Sequence, residues 1–417
     1  MPHREAITSY IDAEFARETA FLAELVKVPS DNPPGDCAPH ARRTEVLLQQ
    51  LGLQVESHAV PAELVKTAGM QTATNLVVRQ RFGDGPVIAL NAHGDVVPPG
   101  LGWQHDPYGA AIEDGPDGAT MYGRGVAVSK SDFATYVWAL LALKHAAGKG
   151  AKIGGGVELH LTYDEEAGGE IGPKWLLEQG LSKPDFVISA GFSYAVVNAH
   201  NGCLHLQVRV TGRQAHAAMP QTGVDALEAA NGLLSKLYAS RADLAQRRSR
   251  VQGLTSPTLN IGLIQGGINT NVVPDEVLFR LDRRVIPEEN MSAVEAELRT
   301  VLESTAKHYP GTNIEVRTLL AAEPLAPQPG WERLASTLQR NGAEVLGTEI
   351  PITAVPLYTD ARHYAAQGIP TVLYGAGPRT LLEANAHNAN ENLRLDDLRK
   401  ATKVVALSLA DLLTGTE

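Results

Sequence analysis

The sequence predicts an α/β fold in which a mostly parallel sheet is covered by helices and an α+β domain is inserted into the chain. Short apolar segments alternate with amphipathic helical segments over the first half, which is typical of parallel sheets. Longer alternating strands replace this pattern after Gly202, and the first pattern resumes near residue 318. A chain of 417 residues also exceeds one ordinary domain. We therefore assign residues 1–201 and 318–417 to one domain and residues 202–317 to the insert.

The first half contains helices and short strands in alternating order. Ile7, Ile11 and Phe15 follow helical spacing near the N-terminus, and a proline-rich segment ends that helix. Later, short apolar runs lead directly into polar segments, which predicts buried strands. The predicted helices cover residues 5–28, 38–51, 129–147 and 172–179, and the predicted strands cover residues 87–90, 157–162 and 186–189.

The insert differs because its strands alternate between apolar and polar residues, as in a sheet with one solvated face. Its predicted strands cover residues 204–210, 258–264, 276–285 and 314–319, and its predicted helices cover 224–238 and 287–307. After the insert, a helix over 331–346, a strand over 371–374 and a closing helix over 395–413 complete the first domain.

Composition excludes several classes of partner. The net charge of −11 disfavours nucleic acid and anionic membranes as partners. No apolar run reaches the roughly 18 residues that span a bilayer, and the first fifteen residues lack the apolar core of a signal peptide. Cys37 and Cys203 are too few and too far apart for a disulfide framework. We therefore expect a cytoplasmic protein.

The segment His93-Gly94-Asp95 follows the strand over residues 87–90. In an extended segment residues i and i+2 point the same way, so Asp95 can accept a hydrogen bond from one ring nitrogen of His93 while the other faces a metal ion. Taken alone, the segment is a weak signal and is more often a polar turn.

Two further clusters follow buried strands. In Asp164-Glu165-Glu166, adjacent carboxylates repel one another unless a cation is present, although an acidic solvated loop has the same composition. Gly375-Ala376-Gly377 precedes Ala386-His387, so a histidine there follows a strand and a glycine-rich turn whose N–H groups suit an anion. Catalytic groups in open α/β sheets collect at such strand ends.

Together these clusters resemble one family over nearly the whole chain. It is the metallopeptidase and deacylase family of carboxypeptidase G, acetylornithine deacetylase, succinyl-diaminopimelate desuccinylase and the aminoacylases. The segments that carry the resemblance occur in the family's order: Asn91-Ala92-His93-Gly94-Asp95, Gly123-Arg124-Gly125, Asp164-Glu165-Glu166-Ala167-Gly168-Gly169, Gly212-Arg213-Gln214-Ala215-His216-Ala217, Gly266-Gly267 with Asn271-Val272-Val273-Pro274, Asp282-Arg283-Arg284, and Ala386-His387 with Glu391.

The resemblance implies a role for each matching residue in the first domain. His93, Glu166 and His387 would be metal ligands, so this domain would be the catalytic, metal-binding one. Asp95 would orient His93, and Glu165 would be the general base that deprotonates water.

The resemblance also implies roles for residues that hold the substrate. Arg284, Asn271 and the turn from Gly375 to Gly377 would bind a substrate carboxylate, although Arg284 in a salt bridge or Asn271 in a turn are alternatives. His216 would stabilise the oxyanion in a neighbouring subunit's site, unless it is a packed histidine. The insert would then be a lid and dimerisation domain of a homodimer or larger homo-oligomer.

Two positions depart from the family pattern. Val128 stands where the family has the Asp that bridges two metal ions, and Gly191 stands where it has a further acid. Asp132 lies about one helical turn, roughly 5–6 Å, beyond Val128, which is too far to replace the bridge. Only Glu166 then remains as an anionic ligand beside two imidazoles. We expect one divalent transition metal ion per chain, zinc, manganese or cobalt.

The favoured function is hydrolysis of a C–N bond, the amide of an N-acyl amino acid or small peptide, in a small carboxylate-bearing substrate. One alternative is hydrolytic removal of an aromatic amine, because a one-metal variant resembles 5-nitroanthranilate aminohydrolase. The other is a non-catalytic binding protein, which would have no need of a general base.

Overall fold

The computed structural model describes residues 2–116 and 118–414, so residues 1, 117 and 415–417 of the predicted first domain lie outside the described part. The chain divides into two compact units. The large unit contains the described residues up to Asn198, Pro327–Thr353, and those from Thr359 onward. The inserted unit contains Ala199–Ala326 and Ala354–Tyr358.

Helices and strands alternate along most of the chain. The helices are α1 (Pro2–Val26), α2 (Ala38–Gln50), α3 (Ala62–Thr67), α4 (Lys130–Gly148), α5 (Pro173–Glu178), α6 (Ala226–Gln246), α7 (Met291–Ala306), α8 (Trp331–Leu346), α9 (Ala361–Ala366) and α10 (Leu395–Leu413). The strands are β1 (Val55–Ala59), β2 (Thr74–Arg81), β3 (Val87–His93), β4 (Ala111–Gly115), β5 (Gly118–Tyr122), β6 (Gly156–Thr162), β7 (Phe186–Ser189), β8 (Val196–His200), β9 (Gly202–Thr211), β10 (Thr258–Gly266), β11 (Glu276–Val285), β12 (Asn313–Ala322), β13 (Ile352–Val355), β14 (Thr371–Leu373) and β15 (Asn392–Arg394).

The central sheet has the strand order β1-β2-β6-β3-β7-β14-β8-β13. Its middle strands β6, β3, β7 and β14 pair in parallel, whereas β1, β2 and β8 join their neighbours antiparallel. The prediction of a mostly parallel sheet is confirmed. Because parallel strands end at one edge of a sheet, the polar segments after β3 and β6 meet there.

Helix α4 lies at the centre of the helical layer of the large unit. It contacts α1, α10 and β3, and side chains such as Phe133, Trp138 and Leu143 are buried all around it. An α-helix that is apolar on every face has to be enclosed by other elements. No helix in the described ranges 2–116 and 118–414 combines the length and apolar character needed to cross a membrane.

The inserted unit is a four-stranded antiparallel sheet, in the order β10-β11-β9-β12, with α6 and α7 on one face. Leu204, Leu206 and Val208 of β9 pack against these helices. Since side chains alternate along a strand, Cys203 and His205 lie on the opposite face.

Several elements differ from the sequence prediction. Strand β1 is missing from it because its residues are mainly polar and it lies at the sheet edge, without the apolar run that marks a buried strand. Helix α7 begins at Met291 rather than near residue 287, because the Asn290 side chain accepts a hydrogen bond from the Ala293 N–H at 2.9 Å. That cap defines where the helix starts.

Candidate metal-binding active site

His93 is the last residue of β3, and its side chain is almost fully buried. Its Nδ1 lies 3.0 Å from the main-chain oxygen of Asp95 and 3.4 Å from the Asp95 carboxylate. The main-chain oxygen therefore shares the orienting role that the sequence assigned to the carboxylate alone. When Nδ1 of the ring is hydrogen-bonded in this way, Nε2 is the nitrogen available to ligate a metal ion. Nε2 lies 3.9 Å from Glu165 Oε2.

The buried carboxylate of Asp95 organises the acidic loop. It accepts hydrogen bonds from the main-chain N–H groups of Glu165 and Glu166 at 3.2 and 3.1 Å, and from the Asn32 side chain at 3.0 Å. This contact brings the polar segments after β3 and β6 together. The role of Asn32 was missed by the sequence analysis, because it lies 63 residues before its partner.

Glu165 and Glu166 begin a short 3₁₀ turn, Glu165–Ala167, that follows β6. One carboxylate oxygen of each and a ring nitrogen of His93 all lie within 4.8 Å of one another. Burial and the neighbouring Glu166 and Asp95 carboxylates raise the pKa of Glu165 to about 8, against the opposing effect of His93. Burial alone would lower the pKa of His93, but Glu165, Asp95 and Glu166 outweigh it and raise that pKa well above its usual value.

His387 completes the cluster from the C-terminal part of the large unit. Its side chain is half exposed, and its Nε2 lies 3.2 Å from Glu166 Oε1. This hydrogen bond raises the pKa of His387. Two imidazoles and two carboxylates thus converge, and such a mixed nitrogen and oxygen donor set suits a divalent transition metal.

The two positions that depart from the family pattern offer no further ligand. Val128 packs against the apolar core of the large unit. Gly191 has no room for a side chain, because an added Cβ would lie 2.8 Å from the Leu373 Cβ and 2.9 Å from main-chain atoms. A carboxylate in place of Gly191 would require the backbone to shift.

Asp132 has a structural partner. Its buried carboxylate accepts a hydrogen bond from the Ala376 N–H at 2.7 Å, and an added Cβ on Gly375 would lie 1.8 Å from its Oδ1. Burial raises the pKa of Asp132 to about 7. The Gly377 N–H in turn donates to the Gly191 main-chain oxygen at 2.9 Å. Asp132 therefore holds the glycine-rich turn, and the Ala376 and Gly377 N–H groups are bonded within the large unit.

A second buried acid beside the loop was not found from the sequence. Asp360 precedes α9, and an added Cβ on Gly169 would lie 2.2 Å from its Oδ1 and 2.7 Å from His363 Nε2. Burial and the nearby Glu165 raise the pKa of Asp360 to about 8. Arg362 donates to the Gly168 main-chain oxygen. The sequence gives little signal for it, because Pro356, Leu357 and Tyr358 separate Asp360 from the short strand β13.

The remaining predicted residues belong to the inserted unit. His216 is exposed, and its Nδ1 accepts a hydrogen bond from the Ala218 N–H at 3.0 Å. It lies beside the segment of Asn271, whose main-chain oxygen accepts from the Ala217 N–H at 2.9 Å. Arg284 on β11 binds the Asp282 carboxylate through Nε at 3.0 Å. That His216, Asn271 and Arg284 act at the site of the predicted metal ligands stays a prediction.

Residues 89–411 match the profile of the peptidase family M20/M25/M40. The chain belongs to this family. Its members are metal-dependent hydrolases, so the predicted resemblance and the prediction of a metal-dependent amidohydrolase are confirmed.

Curated relatives of this M20-family chain include two deacylases. It is 28% identical over 335 residues to a succinyl-diaminopimelate desuccinylase of Gluconobacter oxydans, covering 78% of this chain and 81% of the relative. It is 26% identical over 352 residues to an acetylornithine deacetylase of Myxococcus xanthus, covering 84% and 86%.

Solved structures show the same fold. An M20-family metallo-carboxypeptidase from Sulfolobus solfataricus aligns with a TM-score of 0.78 at 19% identity, covering 94% of this chain and 98% of that one. A dinuclear metal-binding peptidase from Bacillus subtilis aligns with a TM-score of 0.66 at 17% identity, covering 97% and 100%. Neither the aromatic-amine hydrolase nor the non-catalytic binding protein gains support from these comparisons.

Proposed function

We propose that this protein hydrolyses the amide bond of an N-acyl amino acid or small peptide that carries a carboxylate, and that one divalent transition metal ion per chain serves the reaction. The observation that carries the proposal is the convergence of His93, Glu165 and Glu166 within 4.8 Å, with His387 beside Glu166. The M20-family deacylases among the relatives support an amide as the bond that is cleaved.

The proposed ligands are His93, Glu166 and His387. Three protein ligands leave a coordination position open, which is the arrangement of catalytic rather than structural metal sites. The single carboxylate in this set and the lack of donors at Val128 and Gly191 support one ion rather than two. Zinc, manganese and cobalt all accept such ligands.

Glu165 is the proposed general base. When bound, a divalent ion polarises the substrate carbonyl and lowers the pKa of water. Its positive charge would also lower the raised pKa of Glu165, so that the carboxylate is ready to take a proton. Glu165 then accepts the proton of the attacking water and delivers it to the departing nitrogen. Asp95 keeps this base in place through its hydrogen bond to the Glu165 N–H.

The inserted unit supplies the proposed contacts to the substrate. Arg284 and Asn271 bind the substrate carboxylate, and His216 of a neighbouring subunit stabilises the oxyanion. This arrangement requires a homodimer or a larger homo-oligomer. The turn from Gly375 to Gly377, which the sequence predicted as a further anion site, is left out of this set because its Ala376 and Gly377 N–H groups are already bonded within the large unit. Two buried, unpaired cysteines suit the reducing cytoplasm as the place of action.

The test separates the base from the ligands. In a Cys203→Ser background, which removes the other candidate ligand cluster, Glu165→Gln should abolish turnover of N-acyl amino acids and keep about one metal ion per chain, because the base is not in the ligand set. In the same background, Glu166→Gln and His387→Ala should lose both activity and the metal ion of this centre. Glu178→Gln is a matched control, since Glu178 is exposed on α5 and should change neither. Removing the metal with a chelator should abolish activity, and adding zinc, manganese or cobalt should restore it.

Three results would contradict the proposal. Full activity of Glu165→Gln would show that Glu165 is not the general base. Two metal ions per active site would contradict the mononuclear centre. Ammonia release from an aminobenzoate, without cleavage of any N-acyl amino acid, would favour the aromatic-amine alternative.

A further inference from the structure

The face of the inserted sheet away from α6 and α7 carries a second group of metal-ligating side chains, Cys203, His205 and Asp282, which we term the thiol cluster. Cys203 and His205 are two residues apart on β9, so their side chains point to the same face. Asp282 lies directly opposite His205 on β11, and Arg284 lies opposite Cys203. The antiparallel ladder therefore fixes all three positions without a loop.

The three donor atoms of the thiol cluster converge on one point. His205 Nε2 lies 3.1 Å from Cys203 Sγ and 3.0 Å from Asp282 Oδ2, and the sulfur and that oxygen are 3.8 Å apart. One ring nitrogen contacts both partners, whereas a proton relay between a nucleophile and an acid uses the two nitrogens of the ring. The arrangement thus resembles three ligands around a shared centre rather than a catalytic triad.

We propose that Cys203, His205 and Asp282 bind a zinc-class divalent ion, with ligands that differ from the three proposed for the amidohydrolase centre. Metal–sulfur bonds of about 2.3 Å and metal–nitrogen or –oxygen bonds of about 2.0 to 2.1 Å place tetrahedral ligands roughly 3.3 to 3.6 Å apart. The donors of the thiol cluster already lie within about half an ångström of that spacing. A thiolate selects zinc, cobalt or cadmium over magnesium or manganese.

The surroundings of the thiol cluster define how the ion would bind. Cys203 is fully buried, while the His205 and Asp282 side chains are 37% and 28% exposed, which leaves a path from solvent and room for water as a fourth ligand. Arg284 binds both carboxylate oxygens of Asp282, Oδ1 through Nε at 3.0 Å and Oδ2 through Nη2 at 3.1 Å, so a metal ion would share Oδ2 with this guanidinium. Its charge opposes a cation, so we expect a weaker site than one with four protein ligands.

Binding would release a proton and join two strands. Cysteine binds a metal ion as the thiolate, so binding displaces the thiol proton of Cys203. Affinity should therefore rise with pH. Because the ligands come from β9 and β11, the bound ion would cross-link the sheet and raise the thermal midpoint.

Cobalt titration of the metal-free full chain tests this proposal. Wild type should show a thiolate-to-cobalt charge-transfer band in the near ultraviolet, which the sulfur-free amidohydrolase centre cannot give. Cys203→Ser should lose the band and retain the wild-type circular dichroism. Cys37→Ser is the matched control, since Cys37 is also buried but lies in the large unit, and it should keep the band.

Two further measurements are needed. The first separates the thiol cluster from the proposed function, and the second uses wild type alone, so that it does not depend on the folding of a variant. Glu166→Gln should keep the cobalt band even if it is inactive. In wild type, zinc should slow the alkylation of Cys203, measured by mass spectrometry in partly denaturing urea. Absence of the band in wild type, its persistence in Cys203→Ser, or alkylation that zinc does not affect would each overturn the site.

Discussion

Removing one partner of the buried ion pair between Arg124 and Glu391 should strongly destabilise the large unit. Arg124 Nη1 lies 2.6 Å from Glu391 Oε2, and the two side chains are 1% and 0% exposed. The same carboxylate accepts the N–H groups of Ala127 and Val128 at 3.0 and 3.1 Å. Arg124 also donates to the main-chain oxygen of Asn388 at 3.3 Å, so the pair ties the segment before α4 to the one that carries a proposed ligand.

Arg124→Met should leave an uncompensated carboxylate in the interior. Removing one partner of a buried pair costs about 3 to 5 kcal/mol. We expect the lower end of that range, since the two N–H groups still bind Glu391 and burial, which already raises its pKa, lets it take up a proton. The loss should be smaller at pH 5 than at pH 8, because the protonated acid needs no counter-charge. Metal affinity should fall with it, because the segment next to His387 loses its anchor.

Urea unfolding followed by tryptophan fluorescence measures this loss. All four tryptophans, at positions 103, 138, 175 and 331, lie in the large unit, so the signal reports on the part that contains the pair. Arg340→Met is the control, because its pair with Asp411 involves a 61% exposed arginine and should contribute less than about 1 kcal/mol. The double variant Arg124→Met/Glu391→Leu should regain much of the stability. A loss below about 1 kcal/mol for Arg124→Met would refute the reasoning.

Two other predictions concern the core. Burial raises the pKa of Glu18 to about 8, above its unfolded value, so the stability it contributes is complete at low pH and is lost as the pH rises through about 8. Thermal melts should therefore show that the unfolding free energy of Glu18→Gln rises by about 2 to 3 kcal/mol relative to wild type between pH 6 and pH 9. The exposed Glu5→Gln should show no such rise. If the pH dependence of unfolding were the same for Glu18→Gln and wild type, Glu18 would not be a buried neutral acid. Gly191→Ala should lower the unfolding free energy by about 1 to 3 kcal/mol through overpacking, and a variant as stable as wild type would show that the site relaxes.

The sequence alone determined that the candidate metal ligands lie at the ends of strands. His93 lies at the end of one buried apolar strand, Glu165 and Glu166 follow another, and strands predicted to be parallel must end at one edge of the sheet. Local periodicity was sufficient for this, as it was for α8 and α10, whose predicted bounds match the structure. Likewise, Val128 and Gly191 could be recognised as lacking a donor from their residue types alone.

Only the tertiary structure decided which groups pair across long separations. Asn32 and Asp95, Asp132 and Ala376, and His205 and Asp282 are 63, 244 and 77 residues apart. The periodicity of the sequence around a residue indicates which face of its element the residue occupies. It does not indicate the register of the strand or turn that packs against that face. That register depends on the packing of the whole core. It places Asp132 against the glycine-rich turn, and it places Cys203 beside His205 and Asp282.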